Sequence, residues 1–74
     1  MRIEGHYDRD ADIAWLRFEG YAADRVVGEE VDFGLREFDP HTGSLTGLEY
    51  WRASDALPDA FLSMLPPPQV AVDA

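Results

Sequence analysis

Apolar and polar positions along the chain keep a strand-like period first and change to a helical one once, near residue 54. From Ile13 to Glu19 the sequence IAWLRFE alternates, with Ala14, Leu16 and Phe18 on one side and Ile13, Trp15, Arg17 and Glu19 on the other. A period of two predicts a half-buried strand. Arg2–Tyr7 predicts a shorter strand before it, with Ile3 as its inward side chain. The intervening DRDAD predicts a hairpin connection, because aspartate side chains bond nearby backbone amides. GYAAD, Gly20 to Asp24, predicts a second turn. RVVGEEVDF predicts a third strand, with Gly28 as a bulge or a place of close backbone approach. GLREFD predicts a fourth strand ending at Asp39. The punctuation of DPHTGS then leads into a fifth strand over LTGLEYWRAS, Leu45 to Ala53.

The period lengthens at SDALPDAFLSML. Leu57, Phe61, Leu62 and Leu65 recur at helical spacing, with Ser54 or Asp55 available as a cap and Pro58 suited to the first helical turn. Pro66 to Pro68 end this helix, since proline removes an amide donor and disfavours helix before it. The expected architecture is α+β: a four- to five-stranded antiparallel sheet in meander or hairpin order with one short C-terminal helix. Residues 1–65 form one domain, and 66–74 form a proline-rich flexible tail.

The chain has 74 residues and no cysteine. A domain this small buries a thin core, and disulfides and thiolate metal sites are excluded. Self-association is the remaining common route to stability, and a homodimer is expected. Fifteen acidic residues oppose six basic ones, all arginine, for a net charge of −9. That charge disfavours direct binding to a phosphate backbone and favours a basic protein partner steered in by electrostatics. The first ten residues carry charges and no apolar core of a leader, and no run is long enough to span a membrane, so a cytoplasmic location is expected.

Candidate chemistry is sparse. Asp8, Asp10, Asp12 and Glu19 fall at four ligand positions of a helix-flanked calcium loop. Ile13, however, occupies the position that needs glycine, and a strand from Ile13 would carry Glu19 roughly 20 Å from Asp12. Asp8 and Asp12 are better read as bonding turn amides, with Asp10 solvated. A divalent-metal site at Asp8, Asp10 and Asp12 is the alternative function. His6 and His41 are far apart in sequence, and nothing brings them together as ligands. Ser44, Ser54 and Ser63 lack the setting of an activated nucleophile. Neither catalytic residues nor a cofactor are expected. Glu49 is expected to bond an arginine across strands, Arg17 or Arg36. Nine aromatic residues exceed what so small a core needs. Trp15, Tyr50 and Trp51 are therefore interface candidates.

Two segments, YDRDADIAWLRF and FDPHTGSLTGLEYWRAS, carry a family resemblance. The first has Tyr7, Asp8, Ala11 and Asp12 ahead of an alternating strand. In the second, Asp39, Gly43, Gly47 and Glu49 stand at matching intervals, followed by Ala53 and Ser54. In order and spacing the chain, to about residue 57, resembles the bacterial family called domain of unknown function 2283. Its DPHTG turn is one residue longer than usual, and Trp15, Tyr50 and Trp51 replace smaller aliphatics. The resemblance implies a compact β-rich domain with no established activity. It also implies an antitoxin-like role beside small toxin-like proteins, by association rather than chemistry.

Overall fold

The computed structural model describes residues 3–18 and 26–68. Five strands form one antiparallel sheet: β1 (Ile3–Asp8), β2 (Ile13–Phe18), β3 (Val27–Val31), β4 (Gly34–Phe38) and β5 (Leu45–Trp51). Each overlaps an expected strand, but β3 stops at Val31 rather than Phe33 and β5 at Trp51 rather than Ala53. The expected Gly20–Asp24 turn and the Gln69–Ala74 part of the tail lie outside the described residues.

The order across the sheet is β1-β2-β5-β4-β3, which departs from the meander. β1 and β2 form one hairpin, and β3, β4 and β5 form a three-stranded unit. The two units join because β5 pairs with β2, Leu48 standing opposite Leu16 and Glu49 opposite Trp15. β3 is thereby displaced to the far edge. Alternation specifies which side of a strand is apolar but not which strand lies beside it.

The β3–β4 turn falls inside the expected third strand, which extends to Phe33. Asp32 and Phe33 alone separate the paired residues Val31 and Gly34. Gly34 has φ 152°, and a Cβ there would stand 2.1 Å from the Glu49 carbonyl oxygen. In the β4–β5 loop, the Asp39 carboxylate accepts the His41 amide at 2.7 Å, and Gly43 takes φ 73°.

The single expected helix is two helices of one turn each, α1 (Ala53–Ala56) and α2 (Asp59–Leu62). Leu57 is extended at φ −120°, ψ 146°, as the residue before a proline prefers. Pro58 is itself extended and caps α2 rather than opening its first turn. The apolar stripe still reaches the sheet: Leu62 is buried, and Leu57 and Leu65 pack against the core.

That core is small. Tyr7, Ala14, Ala53 and Leu62 are its buried hydrophobic residues among those described, with Tyr50 packed against them. Tyr7, Ala14 and Tyr50 are consecutive cross-strand partners, so the helices cover one face at the β1–β2–β5 end. Ile3, expected inside, is 53% exposed at the far end of the edge strand from Tyr7. The open edge of β1 meets the start of the proline segment, where the Tyr7 amide donates to the Pro66 carbonyl at 2.9 Å. Among the described residues, no helix is long and apolar enough to cross a membrane.

Candidate functional site

The β1–β2–β5–β4 register aligns His6, Trp15, Glu49 and Leu35 in one row across the sheet, on the side away from the core. Trp51, two residues beyond Glu49, shares that side and sits diagonally from Trp15. Glu49 connects the two indoles. One carboxylate oxygen accepts the Trp15 Nε1–H, and the other accepts the Trp51 Nε1–H at 2.6 Å. His6 lies against Trp15 with ring centroids 4.6 Å apart. Trp51 is 38% exposed, while Trp15, Glu49 and His6 are half-buried.

This corrects the expected partner of Glu49. Arg36 stands on the other face, 3.8 Å from Glu29 and over the Phe38 ring. Arg17 shares the face of Glu49 but is paired in register with Gly47. Indole N–H groups fill the role that an arginine was expected to take. Tyr50, the third interface candidate, lies on the helix-covered side, stacked 4.5 Å from Phe33.

Charge is unevenly distributed. The register places Glu4, Asp8, Glu30, Glu37 and Glu49 on the aromatic face, with Arg17 among them. An open pocket of about 610 Å³ is lined by residues of both sheet faces, among them His6, Trp15, Arg17 and Glu37 on the aromatic side and Leu16 on the other, together with Pro66. Thr46 also lines it, buried, with a hydroxyl that has no hydrogen-bond partner.

The aspartate ladder divides by role. Asp8 accepts the amides of Asp10 and Ala11 at 3.0 and 3.1 Å, closing the turn as expected, and Asp10 and Ala11 are exposed. Asp12 departs from expectation. Its φ is 57°, and its carboxylate leaves the turn to accept the Tyr7 hydroxyl at 2.6 Å and both the amide and hydroxyl of Ser54. The bonds from the Ser54 hydroxyl and from Tyr7 hold the Asp12 carboxyl below its ordinary pKa, with the Ser54 amide adding to them and burial opposing. The same bond to Asp12 is the main cause raising the Tyr7 pKa. Asp8 and Asp12 thus spend acceptors on the protein itself. Among the described residues, no group of three or more His, Cys, Asp or Glu side chains is placed to hold a metal ion.

The remaining singled-out positions have structural roles. A Cβ on Gly47 would stand 2.7 Å from the Leu16 carbonyl oxygen, so glycine allows β5 to approach β2. Ser54 is engaged with Asp12, and the Ser63 hydroxyl donates to the Ala60 carbonyl at 2.9 Å. Sequence alternation had already put Glu49 and Trp51 on one side of β5. The involvement of Trp15 and His6 required the β2–β5 pairing, for which the sequence carried no signal. The chain matches no protein-family model, no curated protein and no solved structure.

Proposed function

We propose that this protein is a non-enzymatic interaction domain whose helix-free sheet face receives a basic protein partner. The carrying observation is the Trp15–Glu49–Trp51 constellation, an aromatic surface left uncovered by the helices and set among carboxylates. Exposed tryptophans are frequent anchors of protein interfaces, and the surrounding charge accelerates encounter with a cationic partner. The resemblance to domain of unknown function 2283 suits an antitoxin-like role in the cytoplasm, in which this acidic chain masks a basic toxin-like protein.

The protein acts as a homodimer in this reading. Its core is thin, and Leu16, Phe18 and Leu48 are only half-buried on the helix side of the sheet. A second copy over those residues would thicken the core, whereas like charges oppose its approach on the aromatic face.

The test is affinity capture from the native host with wild-type chain and a Trp15→Ala/Trp51→Ala variant. The expected result is one basic protein, retained at low salt, released at high salt and absent with the variant. Recovery of the chain alone at both salt levels overturns the interaction reading. Light scattering tests the dimer, and a monomer mass at every concentration overturns it.

A further inference from the structure

We propose that Glu49 and its two tryptophans form a receptor for a guanidinium group, so the partner anchors on this face through an arginine in an extended basic segment. This rests on the interaction reading and names the chemistry of its anchor. Glu49 is held in an unusual way. Its two oxygens each accept one indole N–H, from Trp15 on β2 and Trp51 on the same strand two residues on. An ionised carboxylate has roughly four acceptor positions, so each oxygen retains one. Two acceptors held in a plane match the two parallel N–H groups of a guanidinium.

No arginine among the described residues occupies that position. Arg36 pairs with Glu29 on the opposite face, and the bonds made by Glu49 are those from the indoles. The indoles supply the second half of the receptor. Their N–H edges point to the carboxylate, and Trp51 retains substantial exposure. The partly exposed Trp51 ring beside Glu49 offers a guanidinium an aromatic surface for stacking, and a guanidinium loses less hydration than an ammonium on doing so. His6 backs Trp15 at 4.6 Å and braces it.

Two features extend the site from one side chain to a segment. Glu30 and Glu37 share the face and draw in further positive charge. The pocket of about 610 Å³ counts His6 and Trp15 among its lining residues, so open space adjoins the receptor where flanking residues can lie. Lysine fits less well, because its compact ammonium lacks the planar fork.

Fluorescence anisotropy with labelled, glycine-spaced peptides tests this directly, the peptides carrying arginine, lysine or uncharged citrulline. The arginine peptide is expected to bind about tenfold more tightly than the citrulline peptide, and more tightly than the lysine peptide. Glu49→Gln is expected to weaken arginine binding about tenfold, and Asp55→Asn, the same charge change on α1, to leave it nearly unchanged. Equal binding of arginine and lysine peptides overturns the proposal, as does equal weakening by Glu49→Gln and Asp55→Asn. Should Glu49→Gln fail to fold, Trp51→Ser at the exposed rim is expected to weaken the arginine peptide several-fold, and unchanged binding overturns the receptor. A native partner lost from the double tryptophan variant while the arginine peptide ignores Glu49 defeats only the receptor. Arginine binding at Glu49 with no basic partner captured defeats only the interaction reading.

Discussion

Asp12 and Ser54, 42 positions apart in the chain, are joined through both carboxylate oxygens. One accepts the Ser54 amide at 3.0 Å, and the other accepts the Ser54 hydroxyl at 2.6 Å. The Asp12 carbonyl also accepts the Ala53 amide at 2.9 Å. Helix α1 is preceded by Arg52 in a left-handed conformation, with no side-chain cap of its own. A β1–β2 turn residue therefore satisfies amides that a local cap would normally serve.

Asp12→Ala removes acceptors for the Tyr7 hydroxyl and Ser54 together, whereas Ser54→Ala removes one donor and leaves the amide contact. The melting temperature is expected to fall in both variants, and further in Asp12→Ala. Equal melting temperatures for wild type and Asp12→Ala would show that α1 does not depend on this bridge.

The same bridge gives stability a pH dependence. Hydrogen bonds lower the pKa of Asp12 in the folded state from its ordinary 3.8. Its contribution is therefore complete above that value and is lost as pH falls through the lowered folded value. Tyr7 has the opposite sign: its pKa is raised from 10.0, so its contribution is complete below 10.0 and lost as pH rises through the folded value. Denaturant unfolding across pH is expected to show a shallower acid-side decline in Asp12→Asn than in wild type.

Gly34 has no room for a side chain, since a Cβ would meet the Glu49 carbonyl oxygen at 2.1 Å. Gly34→Ala is expected to cost about 3 kcal/mol by chemical denaturation, through steric overlap and backbone strain. Gly43 also has positive φ but faces open space, so Gly43→Ala is expected to cost only about 1 kcal/mol.

Leu62 is 3% exposed in a core with few large residues. Leu62→Ala is expected to lower stability by about 2–4 kcal/mol, as measured by denaturant melts. In so small a domain, that approaches the whole margin of stability. A loss under about 1 kcal/mol would mean that the helices contribute little to holding the sheet.

The glutamate–tryptophan constellation was half legible. Alternation in LTGLEYW places Glu49 and Trp51 on one side, and alternation in IAWLRF separates Trp15 from Ala14 and Leu16. Missing was the pairing of β2 with β5, because side-chain period sets a strand's faces without naming its neighbour. Of the two arginines expected beside Glu49, Arg36 lies on the other face of β4, and Arg17 shares the face but stands opposite Gly47.

The sequence by itself determined where the strands lie, the turns at Asp8 and Asp39 and the end of the helical segment, because these follow from local periodicity and the backbone preferences of Asp, Gly and Pro. Pro58, expected in the first turn of a single helix, instead breaks it through its restriction of Leu57. Tertiary structure alone decided that β5 lies between β2 and β4, that Asp12 serves a helix across the fold, and that two indoles share the Glu49 carboxylate. Each of these depends on contacts between residues distant in sequence, where burial and hydrogen-bond satisfaction of the whole sheet select the partner.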